Sequence, residues 1–308
     1  MALRIAHVSD THVLSRAGVK LTRILFDKRI TGYANLLLKR GRVYRREHLL
    51  AVFAAVAAAR PDHLVITGDV TNLSLEPEFE EARALLGDLP RSIEVSVVPG
   101  NHDTYVPAAY HARRFAFHLG AYLGSDLPEL AVALPAGHFP FVKLRGPVAL
   151  VGLSSAVPRP PFVASGRIGE AQLGALVRVL AHPEVARRTP VVLVHHPPVN
   201  PAGRLNVLRD GLLDAAALRS ALAPLRGGLV LHGHLHERRR RRLCTASGAL
   251  DVIGAGGAAV DHPSPVRMAG FNVYRIGEEG RVEGVEAFVL AGDGAPRREP
   301  IPDVGEGP

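Results

Sequence analysis

Tryptophan is absent from the 308 residues, methionine occurs twice, and cysteine only once, at Cys244. One thiol per chain excludes an intrachain disulfide framework and a cysteine-type zinc site, and suits a reducing compartment. Apolar runs are short: no stretch reaches the length of about 18 uncharged apolar residues that a membrane span requires. The opening MALRIAHVSD runs into a strand-like segment without the long apolar core of a secretion signal, so a cytoplasmic protein is expected. Excess charge is scarce outside one place. Segment 16–46 holds ten Lys/Arg and one acid; removing it from the totals of 37 basic and 29 acidic residues leaves 27 against 28. The net charge of +8 therefore reports one patch, and the uniformly basic surface of a general nucleic-acid binder is not supported.

What is present is enough apolar residue to fold: 47% hydrophobic with 21% charged is an ordinary globular composition. Short apolar runs alternate with helix-period segments, an α/β rhythm. Leu49, Val52, Phe53 and Val56 recur at helical spacing before Pro61; a second helix opens at Pro77 and closes near Gly87; a third, over 169–182, carries Leu173, Leu176, Val177 and Leu180. Later strands are expected at VALVGL, PVVLVHH, GLVLHGH, LDVIGAG, FNVYRIG and VEGVEAFVL. The chain is expected to form one catalytic domain over 1–290, with insertions at about 16–46 and 104–140, followed by a flexible Gly/Pro-rich tail over 291–308.

Five of the apolar runs end in Asp, Asn or His: VSDTH (Asp10, His12), VITGD (Asp69), VVPGNHD (Asn101, His102, Asp103), VLVHHPP (His195, His196) and LHGHLH (His232, His234, His236). In an open α/β sheet, loops beyond the carboxyl ends of the strands converge on one crevice, so one site can collect all five. Imidazoles and carboxylates are the usual ligands of divalent metals, and a shared carboxylate holds two ions roughly 3.5–4 Å apart. Asp69 is the natural bridge. In the Gly233-His234-Leu235-His236 step the two imidazoles can serve different ions, while Gly233 permits close backbone approach.

In this order, Asp10-x-His12, Gly68-Asp69, Gly100-Asn101-His102-Asp103, His195-x-Pro197 and Gly233-His234-x-His236 resemble the calcineurin-like metallophosphoesterases. The Gly-Asp-x-Thr-Asn and His-His-Pro-Pro variants look most like the branch with class III cyclic-nucleotide phosphodiesterases. The resemblance implies a four-layer α/β/β/α sandwich of two mixed sheets flanked by helices. It implies two divalent ions, manganese, iron or zinc: Asp10, His12 and His236 on one, Asn101, His195 and His234 on the other, Asp69 across both. His102 is implied as the proton donor to the leaving oxygen, with Asp103 orienting it. Two carboxylates, one amide and four neutral imidazoles leave about +2 uncompensated, which attracts phosphate. The implied reaction is hydrolysis of a phosphodiester by a hydroxide bridging the metals, in line with the leaving group.

Other features carry competing readings. Histidines at strand ends are more often satisfied structural groups, and His7, His63 and His232 are read so; His196 is open between that role and substrate contact. The arginine run 238–242 reads as an exposed or edge strand with solvated charges. In segment 16–46, Phe26, Ile30, Tyr33 and Leu37 have helical spacing among basic residues, as in an amphipathic helix on anionic membrane, a substrate cap, or an ordinary packed insertion. A membrane-surface hydrolase of a lipid-linked diphosphate, similar to the UDP-diacylglucosamine hydrolases of this superfamily, is therefore the alternative to a soluble phosphodiesterase. A catalytically silent metal-binding scaffold is the alternative of another class. The aromatics of 104–122 either form a lid or pack on each other.

Overall fold

Strands buried on both faces must send alternate side chains into different cores. The computed structural model of the protein describes residues 2–15 and 43–306, and its central strands do this. In chain order the elements are strand β1 (Leu3–Val8), helix α1 (Arg46–Ala59), β2 (His63–Ile66), α2 (Glu76–Gly87), β3 (Glu94–Val97), α3 (Pro107–His111) and α4 (Arg114–Leu119). The hairpin β4 (Val132–Leu134) and β5 (Gly137–Phe139) precedes β6 (Phe141–Arg145), β7 (Val148–Gly152), α5 (Glu170–Ala181), α6 (Pro183–Ala186) and β8 (Thr189–Leu193). Then come α7 (Arg204–Asp210), α8 (Ala215–Leu222), β9 (Leu229–His232), β10 (Arg240–Cys244), β11 (Ala249–Gly254), β12 (Gly270–Ile276), β13 (Val282–Leu290), β14 (Pro296–Glu299) and β15 (Asp303–Glu306).

The strands form two mixed sheets flanked by helices, ordered β14-β13-β12-β1-β2-β3 and β15-β10-β11-β9-β8-β7-β6. Strands β1, β2 and β3 are parallel, as are β7, β8, β9 and β11. On β7, β8 and β9, Val148, Leu150, Val191, Leu193, Leu229 and Leu231 enter one core shared with the first sheet and α1. Their alternates Ala149, Val151, Val192 and Val230 enter the other, under Leu173 and Leu176 of α5 and Leu218 of α8. The expected stripe of α1 is buried at Leu49, Val52, Phe53 and Val56. Val177 departs from expectation at 51% exposure, because α5 turns only one side to the sheet. Among the described residues no helix is long and apolar enough to cross a membrane.

Two expectations are corrected. The tail contributes β14, antiparallel to β13, and β15, parallel to β10: the sheet edges offer unpaired backbone groups that a Pro- and Arg-containing segment can still satisfy. The arginine run is not an edge, since β10 pairs on both sides. Its first member, Arg238, is 1% exposed and donates Nη1 to the Pro265 carbonyl, and Arg240 pairs with Asp251 at 2.8 Å. Most of the basic insertion, residues 16–42, lies outside the described residues.

Candidate metal centre

Because β1, β2, β3, β8 and β9 all point their carboxyl ends the same way around the interface between the sheets, their following turns share one crevice. Five residues of these turns, Asp10, His12, Asp69, His234 and His236, have φ between 42° and 67°. Left-handed backbone costs a non-glycine residue on the order of 1–3 kcal/mol, and such strain concentrates where side chains must be aimed. Glycines complete the turns. A Cβ on Gly68, at φ +92°, would stand 2.7 Å from His195 Nδ1, and one on Gly233 would overlap Ser9 Oγ and lie 2.6 Å from Asp10 Oδ2. Gly233 thus serves packing against the Asp10 turn, a tighter constraint than the close approach to ions expected of it.

The turns bring Asp10, His12, Asp69, Asn101, His195, His234 and His236 into one cluster with two halves. In the first, His236 Nε2 is 3.2 Å from Asp10 Oδ1 and 3.5 Å from His12 Nε2. In the second, Asn101 Oδ1 is 3.0 Å from His195 Nε2 and 3.1 Å from His234 Nδ1. Asp69 Oδ2 stands between, 3.9 Å from His12 Nε2 and 3.5 Å from His195 Nε2. Donor atoms of Asp10, His12 and His236, of Asp10, Asp69 and His195, and of His195, His196 and His234 each fall within 4.8 Å of one another.

The outer nitrogens decide what the inner ones can do. His195 Nδ1 meets the Thr67 carbonyl at 2.7 Å and His234 Nε2 the Asp210 carbonyl at 2.8 Å. A carbonyl only accepts, so the hydrogen of each neutral ring sits there and a lone pair faces inward. Two such lone pairs converge with the Asn101 oxygen, an arrangement that a cation relieves; the donor set fits divalent metal. Electrostatics agree. Burial pushes His195 down, but the Asp69 and Asp10 carboxylates outweigh it and raise its pKa to about 9, so the field favours positive charge at this point. His234, mainly through burial and then through His195, is lowered to about 4. For Asp69 burial acts upward, yet His195, His102 and His12 hold it well below the ordinary carboxylate range.

His102 belongs to the same crevice, with a ring nitrogen within 4.8 Å of donor atoms of His12 and Asp69. Its backbone N–H donates to Asp69 Oδ1 at 2.7 Å, its Nδ1 meets the Asn72 carbonyl at 2.6 Å, and Tyr105 stacks on its ring. The role expected of Asp103 is corrected here. Its carboxylate accepts from the backbone N–H groups of Val70, Thr71 and Gly100 and from Thr71 Oγ1, so it ties together the turns after β2 and β3, while Asn72 orients the imidazole. Burial and the Asp69 charge raise Asp103 to about 7 against those donors.

Other histidines are occupied elsewhere. His196 is buried between Ser155 Oγ and the Ala164 carbonyl, each at 2.8 Å, a structural assignment for the one left open. His7 bonds Tyr274 and Thr67, His63 bonds Ser96, and His232 bonds the Gly233 carbonyl. Of the insertion aromatics, Phe115 is in the core, Tyr122 packs against it, Tyr110 meets His111 and Phe117 is 82% exposed, while Tyr105 stacks on His102. Tyr44 was missed: its hydroxyl is 3.3 Å from His236 Nδ1 and its ring lies edge-on to His12 at 4.6 Å. It sits in the basic segment, where the sequence holds no cue to single it out; Asn72 stood within the quoted Gly-Asp-x-Thr-Asn block.

Fold and site together define a metal-dependent phosphoesterase class, and the chain belongs to the calcineurin-like phosphoesterase family, whose profile matches residues 3–238. It is 29% identical over 234 residues to a "Probable cyclic nucleotide phosphodiesterase" of Rhodococcus erythropolis (strain PR4 / NBRC 100887), covering 75% of this chain but 64% of that relative, so the chain spans under two thirds of its length. The fold is shared with a dimetal phosphatase from Danio rerio (TM-score 0.55, 16% identity, 92% of this chain and 95% of that one). It is also shared with a purple acid phosphatase from yellow lupin seeds (TM-score 0.54, 12% identity, 99% and 54%).

Proposed function

We propose that this chain is a dinuclear-metal-dependent phosphodiesterase in which Asp10, His12 and His236 hold one ion, Asn101, His195 and His234 the other, and Asp69 both. The observation that carries this reading is the position of Asp69 Oδ2 between two groups of converging donors. Divalent manganese, iron or zinc suits these donors and, when bound, supplies Lewis acidity toward a phosphoryl oxygen and a deprotonated water at neutral pH. The chain's own groups do the rest. Two carboxylates against two dications leave a positive crevice that draws a phosphodiester anion. The Asn72 carbonyl keeps a hydrogen on His102 Nδ1, so a proton delivered to the leaving oxygen comes from Nε2 of the imidazolium. Asp103 fixes the turns that carry Asp69 and His102.

Cyclic nucleotides are the first substrates to test, a choice supported by the bacterial relative. The lipid-linked diphosphate alternative was drawn from segment 16–46, of which 16–42 lie outside the described residues. A turnover panel with manganese-loaded enzyme separates the readings: cyclic AMP, a nucleotide-sugar lipid, single-stranded DNA and a simple monoester. Diesters should outpace the monoester. Exclusive monoester turnover would overturn the diesterase assignment, and tight stoichiometric metal with no turnover of any ester would make the chain a scaffold.

A further inference from the structure

Large apolar side chains that stand clear of a folded surface call for an explanation when they cluster by a functional site. Phe162 and Leu205 are each 81% exposed and Leu208 is 49% exposed. Phe162 also has φ 63°, a conformation that is an outlier for a bulky residue, and α7, which carries the two leucines, buries none of its residues. Folding gains little from Phe162 and Leu205, which keep most of their surface in water.

They belong to two segments that run side by side. The Ala164 N–H donates to the Arg209 carbonyl at 2.7 Å, that of Gly166 to Gly211 at 2.9 Å, and that of Leu213 back to Gly166 at 3.0 Å. Asp210 ties one segment to the candidate ligand His234, whose Nε2 its carbonyl meets, and the Ala164 carbonyl holds the other to His196, whose ring lies 4.3 Å from that of His234. The apolar tips and the candidate ligands are therefore parts of one scaffold. Charge completes the pattern. Residues 156–167 and 201–213 contain Arg159, Arg167, Arg204 and Arg209 against a single acid, Asp210, which pairs with Arg209 at 2.6 Å.

We propose that this rim docks the protein on an anionic lipid bilayer, with Phe162, Leu205 and Leu208 entering the acyl boundary and the arginines facing lipid phosphates. Isolated apolar tips amid basic side chains match such an interface, which is fluid and needs no complementary groove. A second copy is the poorer occupant, because a two-fold contact would set the same arginines against one another. Docking rests on the phosphodiesterase reading only for its consequence: the metal centre would act on phosphoesters presented at the lipid surface.

The test uses the full chain loaded with manganese, co-sedimented with vesicles of phosphatidylcholine alone or mixed equally with phosphatidylglycerol. Phe162→Ser/Leu205→Ser/Leu208→Ser should weaken binding to the anionic vesicles by on the order of tenfold or more. Phe117→Ser, which removes an equally exposed aromatic from another element, should leave it unchanged. Arg167→Glu/Arg204→Glu should remove the preference for anionic vesicles, a second reading should the triple variant fold poorly. Metal content and hydrolysis of a water-soluble activated diester report separately on the centre. Soluble turnover without vesicle binding overturns docking alone; vesicle binding by the rim without any turnover leaves docking in place and overturns the catalytic reading. Binding that survives both rim variants, or a wild-type dimer that the triple variant dissociates, overturns the proposal.

Discussion

His102 and Asp69 share a crevice and a hydrogen bond, yet their side chains are held for different work. The imidazole is fixed by Asn72 and Tyr105 from outside the donor cluster, whereas Asp69 Oδ2 stands between its two halves, near His12 and His195. His102→Ala should therefore keep the metals and lose about 10²–10⁴-fold in the rate of diester hydrolysis, the usual contribution of a positioned acid; metal analysis beside steady-state kinetics checks this. At this scale the donors could be read because each is a side chain of characteristic chemistry at a strand end. Their supports could not: the carbonyls of Thr67, Asn72 and Asp210 have no residue identity to recognise, and Tyr44 meets His236 only through tertiary folding.

Between elements, burial alternation is the main source of stability. Leu150 on β7 is fully buried in the core between the sheets, while Val177 on α5 is half exposed. Leu150→Ala should cost about 2–5 kcal/mol in urea unfolding, and Val177→Ala less than about 0.5 kcal/mol. A second link joins the sheet edges at β3 and β6. Glu94 receives a bidentate pair from Arg145, and Lys143 donates to Glu94 and to the Val95 carbonyl. Hydrogen bonds from Arg145, with further help from Lys143 and against a smaller effect of burial, lower the Glu94 pKa from its ordinary 4.5 to about 2. A carboxyl depressed on folding stabilises fully above its unfolded pKa and progressively less as pH falls toward the folded one. Thermal midpoints should thus drop between pH 5 and pH 3 more steeply in the wild type than in Glu94→Gln. The strands and helices that carry the site follow their periodicity closely. The segments misread, 296–306 and Arg238, are those where partners distant in sequence supply pairing to backbone or guanidinium groups.

Across the whole molecule, two sheets meet so that five strand ends open on one crevice, and in sequence an otherwise near-neutral chain carries its basic excess in one segment that follows the first two candidate ligands. The order of the five polar blocks made the architecture recognisable, since only a shared crevice gives them a common purpose. The rim of Phe162 and Leu205 was not recognisable, because exposure of an apolar side chain depends on what the fold leaves uncovered. If Asp69 joins two metal sites, both ions depend on its carboxylate. Metal content per folded chain, compared between wild type and Asp69→Asn after manganese loading and removal of excess ion, measures this directly: two ions in the wild type and loss or depletion of both in the variant are expected. One ion in the wild type, or two retained in Asp69→Asn, would contradict it.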